Sequence, residues 1–442
     1  MIAYRLFPWL ACLIVALSAL SASVATATEI KTLTTPGGLN AWFVQEPSIP
    51  IISVELSFKG GLAMDPAGRE GLANMASGLF DEGAGEMPSL AFQTRLEELA
   101  ISLSFSASKD NFSVSLRTLT SNKDEAFRLL GLALSQPRFD DKAIERIRRQ
   151  ILTGLENDLE NADDIAAKLW FKKMFGDHVY GRPSRGTPQS IAAITKSDLQ
   201  SFAKSRFGRD NLLIGAVGNI DSAELSRLLD SALQNLPAQA KAENVTEVDV
   251  TTTGSLTVVR KPNPQSTVMF GMAGVKRDDP DYYAAYVMNY VLGGGGFTSR
   301  LYQEVREKRG LAYSVYTYLY PYEHSAIYLG GVATANARVG ESLRVIKAEI
   351  ERMAKDGVTA EELAQAKTFL NGSFPLRLDS NAKIARMLTA IQISKLPIDY
   401  IERRPGYINA VTIADIRRVA KRLLRTDAIT FVIVGDPKDI DG

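Results

Sequence analysis

Two stretches of this chain lie far apart and yet align without a gap. "TKSDLQSFAKSRFGRDNLLIGAVGNI" (195–220) and "TIADIRRVAKRLLRTDAITFVIVGDP" (412–437) match Thr195 to Thr412, Asp198 to Asp415, Ala203 and Lys204 to Ala420 and Lys421, and Gly218 to Gly435, all at one offset of 217 residues. Each reads as a helix opened by a threonine cap with an acid in its first turn, then an apolar strand ending in Val-Gly. A whole helix–strand unit repeated at constant offset implies two copies of one domain. The two copies also begin alike: 37–61 and 254–274 each give two strands joined by a proline-containing turn. Between them, "PAQAKAENVTEVDVTTTG" (237–254) is polar and without helical period, so it is a linker. The first copy is placed at 28–236 and the second at 255–442.

Further helices are expected at roughly 68–83, 88–101, 121–136 and 140–175 in the first copy. The second copy supplies helices near 281–292, 298–309, 336–356, 359–373 and 379–394. Strands are expected at 102–108, 111–119, 311–320 and 325–333. Strands adjacent in sequence followed by paired helices make the fold α+β, each half an antiparallel-rich sheet backed by helices.

Charge narrows the function. Lys plus Arg (51) nearly equals Asp plus Glu (50) over 442 residues, so no overall field favours nucleic acid or an anionic membrane. "RIRRQ" (146–150) is one basic helix face, and "ENDLENADD" (156–164) a solvated face or a helix break. Residues 1–27 carry Arg5, an apolar stretch from Leu6 to about Leu20 and "ATA" before a cleavage point after Ala27, the pattern of a signal peptide. The expected location is periplasmic, with no stable membrane anchor. Cys12, the only cysteine, lies inside that leader, so the mature chain needs no disulfide and has no thiolate chemistry.

One local constellation carries chemistry. In "VREKRGLAY" (305–313), Arg306 falls in the last turns of a helix running from Thr298 to Arg309, with Thr298 or Ser299 as its cap and Gly310 just past its end. Tyr313 begins the aromatic strand beyond, so guanidinium and phenol meet at one rim and together offer several hydrogen-bond donors. Taken alone, a helix-end arginine and a strand tyrosine are ordinary structural placements. The preceding run Gly293, Gly294, Gly295 and Gly296 is no phosphate cradle, since no Lys-Ser/Thr follows and no strand leads into it. The chain has only two histidines, His178 and His324, neither with another histidine four residues away, so no two-histidine helical zinc site can be built.

The doubled domain, "LGGGGFTSRLYQEVREKRGLAYSVY" and "DHVYGRPSRGT" (177–187) together resemble the pitrilysin, insulinase and mitochondrial processing peptidase family of zinc metallopeptidases. The resemblance implies two similar halves forming one side of a clam-shell around an unfolded peptide, with zinc on an inverted H-x-x-E-H helix. Here the motif is absent: Asn74 and Gly78 stand at the histidine positions, Ser77 at that of the catalytic glutamate, and Gly154 at the downstream ligand. The resemblance therefore implies a chain without metal or cofactor of its own and inactive alone. It would pair, as a heterodimer, with a zinc-bearing family subunit. Arg306 and Tyr313 would serve that partner's active site, and Gly293 to Gly296 would touch the peptide. The competing reading is a structural or peptide-binding scaffold. A free-standing hydrolase with another nucleophile lacks a G-x-S-x-G elbow or a Ser/His/Asp set.

Overall fold

The computed structural model describes residues 29–241, 244–250 and 253–440, so the expected leader at 1–27 lies outside the described residues. The first sheet is built from β1 (Lys31–Thr34), β2 (Asn40–Gln45) and β3 (Ile51–Lys59), a two-residue ribbon β4 (Gly83–Ala84) and β5 (Met87–Pro88) standing apart, then β6 (Ser102–Ala107), β7 (Asn111–Leu119) and β8 (Leu212–Gly218). Its order is β1-β2-β8-β3-β7-β6. The second sheet uses β9 (Ser255–Arg260), β10 (Gln265–Ala273), β11 (Ala312–Pro321), β12 (Ala326–Ala335) and β13 (Thr430–Gly435) in the order β11-β12-β10-β13-β9. Read from the opposite edge, the second order repeats the first, with β1 the one addition. The single parallel pair also recurs, β2 with β8 and β9 with β13. The fold is thus α+β and doubled.

Alternation explains the layers. On β3, Ile52, Val54, Leu56 and Phe58 point into a core with Phe80, Phe112, Phe202 and Phe207. The repeated helices are Lys196–Arg206 and Ile413–Leu423, and each begins with a reciprocal cap: Thr195 with Asp198, and Thr412 with Asp415. The continuous helix expected at 140–175 is two helices, Asp141–Asp158 and Ala162–Phe175, because Asn161 accepts from the amides of Asp163 and Asp164 and opens a new one. The helix expected at 68–83 shrinks to Leu72–Ser77, bounded by Gly71 at φ +92° and by Gly78. Helices at Ser222–Leu233 and Tyr400–Ala410 are additional to the sequence reading.

Each half lends a helix to the other. Ala162–Phe175 leaves the first half and lies on the second sheet, where Ala166, Trp170 and Met174 pack with Ile327, Val432 and Val434. Trp170 Nε1 donates to Thr430 O at 3.1 Å, and Gly271 admits the indole, since a Cβ there would lie 2.6 Å from Trp170 Cζ2. Reciprocally, Asn381–Ile393 of the second half lies on the first sheet, packing Ile384, Ala385 and Leu388 against Val44 and Val217. Gly215 plays the part of Gly271, its missing Cβ 2.4 Å from Ala385 O.

Candidate functional site

Arg306 sits on a turn that is wound wider than an α-helix. Tyr302–Glu307 is π-helical, with Lys308 N donating to Gln303 O, and the turn closes where Gly310, at φ +58°, sends its N–H back to Arg306 O at 2.8 Å. Neither expected cap operates: Thr298 and Ser299 hydroxyls donate backward to Gly295 O and Gly296 O. The head of the turn is fixed instead by Arg300, 9% exposed, whose guanidinium makes two 2.7 Å bonds to the Glu362 carboxylate and one of 2.8 Å to Gly357 O.

The structure brings Arg306 and Tyr313 together. The Arg306 guanidinium carbon lies 4.6 Å from the Tyr313 ring centre and 4.8 Å from that of Tyr302, with Phe297 at 6.0 Å. Arg306 Nη1 donates to the Tyr302 hydroxyl, while Tyr313 is 79% exposed on the rim of the edge strand β11. The aromatic rings hold the guanidinium plane, and with Nη1 on the Tyr302 hydroxyl and Nε 3.7 Å from Glu307 Oε1, Nη2 carries the N–H donors left for an incoming oxygen. Gly293 is buried against Thr317, where a Cβ would come 2.4 Å from the hydroxyl, and Gly294 and Gly295 pack on Asn289 and Tyr290. Gly296, at φ +57°, is exposed with open space around it. The run is wound and largely close-packed, and its surface is Gly294 and Gly296.

At the position of the family's metal helix, Asn74, Ser77 and Gly78 share one half-buried face of Leu72–Ser77 and its end, and the Ser77 hydroxyl donates to Asn74 O at 2.7 Å. A Cβ on Gly78 would meet Ile147 at 3.4 Å, and one on Gly154 would lie 3.4 Å from Arg185 Nη1. Arg185 in turn pairs with Asp158. An amide, a hydroxyl, two glycines and a neighbouring guanidinium do not fit Zn²⁺, which needs imidazole, thiolate or carboxylate donors and no fixed cation beside them. Among the described residues no three His, Cys, Asp or Glu side chains converge as a metal site. The helix is capped by Asp65, 3% exposed, which accepts from Gly71 N and Ala73 N at 3.0 and 3.1 Å. Burial pushes its carboxyl up to about 7 against the pull of those N–H groups and Arg206.

Both histidines grip the linker. His178 Nδ1 accepts from Tyr180 N at 3.2 Å, so its Nε2 carries the proton and donates to Thr246 O at 3.0 Å. From the other half, His324 Nδ1 meets Glu247 Oε1 at 3.1 Å, and His324 O accepts from Val248 N. Burial lowers the His178 pKa, which keeps the ring neutral. The basic face at 146–150 is likewise spent internally: Arg146 pairs with Glu82, and Arg148 donates to Ile191 O and Ile194 O. No helix among the described residues is long and apolar enough to cross a membrane. Sequence reasoning misses Tyr302, Arg300 and Arg185, whose roles arise from contacts that no spacing announces.

Known proteins share this architecture. Residues 42–187 match the model described as insulinase (peptidase family M16), and residues 193–370 the model described as peptidase M16 inactive domain. A Helicobacter pylori protein described as non-peptidase homolog YmxG is 29% identical, covering 95% of this chain and 96% of its own. A Streptomyces coelicolor protein described as an uncharacterized zinc protease is 25% identical over 93% of this chain and 90% of its own. A solved peptidase M16 inactive domain from Pseudomonas fluorescens superposes with a TM-score of 0.88 at 28% identity, covering 94% of this chain and 99% of that one.

Proposed function

The chain belongs to the M16 peptidase family, and from that premise we propose that it is an exported, metal-free subunit of a heteromeric zinc peptidase. Paired with a zinc-bearing family member, it forms half of a chamber for unfolded peptide and presents Arg306 and Tyr313 to the partner's site. Zinc chemistry, in this reading, belongs wholly to the partner. The part of this chain is to bind extended peptide and to donate hydrogen bonds to the backbone and to the oxyanion of the tetrahedral intermediate. In this reading the signal-peptide-like pattern of residues 1–27 directs the chain to the periplasm. The observation that carries the reading is the coexistence of an ordered Arg306–Tyr313 pair with a helix that has lost every metal donor.

The Arg306 bond to the Tyr302 hydroxyl favours the second reading, a scaffold in which the arginine serves its own chain. One assay separates them: cleavage of an unstructured peptide by the mature chain alone, by a zinc-bearing family member from the same organism alone, and by the mixture. Activity confined to the mixture, falling about 100-fold or more in Arg306→Ala with the complex intact, supports the proposal, since loss of one oxyanion donor costs on that order. Full activity in both Arg306→Ala and Tyr313→Phe leaves the scaffold.

A further inference from the structure

The first sheet has a second face, polar where the core face is apolar. Opposite the core residues, β3 presents Ser53, Glu55 and Ser57; β7 presents Ser113, Ser115 and Arg117; β6 presents Ser102, Ser104 and Ser106. The register aligns them in three rows across the strands: Ser53, Arg117, Ser102; then Glu55, Ser115, Ser104; then Ser57, Ser113, Ser106. Cross-strand neighbours stand about 5 Å apart, so the nine side chains form one continuous polar surface.

Beside this surface, the borrowed helix Asn381–Ile393 walls off a cavity of about 200 Å³, lined among others by Ser53, Glu55, Ser104, Ser115, Arg117 and Arg386. Three features mark it as built for an anion. Ser53 is 2% exposed and its hydroxyl has no protein partner, a condition that costs about 1–3 kcal/mol unless something supplies a bond. Arg117 and Arg386 form no ion pair with any carboxylate among the described residues, although most arginines here do. Glu55, 7% exposed, is engaged by the Ser115 hydroxyl, and burial raises its pKa while Arg386 acts against that. Two guanidinium groups against one carboxylate leave a single positive charge to be matched.

We propose that this pocket binds one carboxylate group, clasped by Arg117 and Arg386 and hydrogen-bonded by Ser53. Guanidinium forks fit a carboxylate in two-point geometry, and the Glu55 charge beneath disfavours dianions such as phosphate. The carboxylate has two sources, the C-terminus of a peptide and a free small acid, and both offer the same group. The site does not depend on the role of Arg306 and Tyr313, so it stands or falls separately from the peptidase-subunit reading.

The test is calorimetric titration of the purified mature chain with pentaalanine, pentaalanine amide, acetate and inorganic phosphate, repeated on Arg117→Gln, Arg386→Gln and the double variant. Both arginines are exposed at the surface, so circular dichroism should show the variants folded. Binding of the free-acid peptide at least about tenfold tighter than its amide, lost in the double variant, is expected; each charge-assisted contact is worth on that order. Acetate binding as tightly as the peptide supports the pocket and assigns it to small acids. Equal affinity for acid and amide, a preference for phosphate, or binding unchanged in the double variant would each overturn the proposal, as would no binding of any carboxylate.

Discussion

Arg306 shows how much a single residue's surroundings decide. A lysine in its place would keep the charge but lose the planar group that lies between Tyr302 and Tyr313. On the proposed subunit role, Arg306→Lys should therefore lower the peptide-cleaving rate of the mixture nearly as far as Arg306→Ala, measured side by side at saturating partner. Arg185 teaches the converse lesson at the position where the family resemblance would put a metal. Writing the ligands back as Asn74→His, Ser77→Glu, Gly78→His and Gly154→Glu should still give weak zinc retention, because the guanidinium stands beside residue 154. Adding Arg185→Ala should raise the zinc bound per chain, read by metal analysis after dialysis. The Arg306–Tyr313 pair was legible because seven residues and one glycine fix its geometry locally. Arg185, Tyr302 and Arg300 were not, since each acquires its meaning from a neighbour that only tertiary packing supplies.

Individual elements follow their sequence where capping and period are strong. Thr195 and Thr412 open their helices as read, and of the two readings of the acidic run at 156–164 the structure takes the helix break, at Asn161, although helical periodicity runs on across it. Helix Ser89–Glu98 is clamped to Lys123–Ser135 by Glu125, whose carboxylate takes Arg128 at 2.7 Å and Arg95 at 2.9 Å. Those bonds, Arg128 first, hold its pKa near 2 against an ordinary 4.5. A depressed carboxylate stabilises the fold above its unfolded value and loses that contribution as pH falls from 4.5 towards 2. Glu125→Gln should accordingly be less stable than the parent by about 1 kcal/mol at pH 7, the scale of part-exposed ion pairs, with the difference closing by pH 2 in denaturant titrations. The glycine run divides in the same way. Gly293→Ala forces a methyl onto Thr317 and should cost about 1–3 kcal/mol in such titrations, the usual range for an overpacked site. Gly296→Ala meets no atom and bears only the strain of its positive φ, roughly 1 kcal/mol.

For the molecule as a whole, the doubled topology was legible in one offset, but the exchange of helices between halves was not, because sequence period says that a helix has an apolar face and never which sheet receives it. Two joints now define how the halves stay together. The linker joint rests on His178, whose neutral ring both accepts from Tyr180 N and donates to Thr246 O. A histidine with a lowered pKa stabilises above its unfolded value and stops doing so as pH drops, and protonation would remove the acceptor used by Tyr180 and set a charge near Arg182, Lys109 and His324. Limited proteolysis near 244–248 should quicken between pH 7 and pH 5, and His178→Ala should show the fast rate at both. The helix joint rests on Trp170. Trp170→Ala should cost about 3–5 kcal/mol and lower the melting of the second sheet, although the substitution lies in the first half of the chain.

That reciprocal loan also sets a timetable for biosynthesis. A ribosome that has completed the first sheet has made a surface whose cover, Asn381–Ile393, is not yet translated, so the early product must wait with Val44 and Val217 uncovered. A nascent chain that stops short of residue 381 therefore keeps that apolar patch open to water.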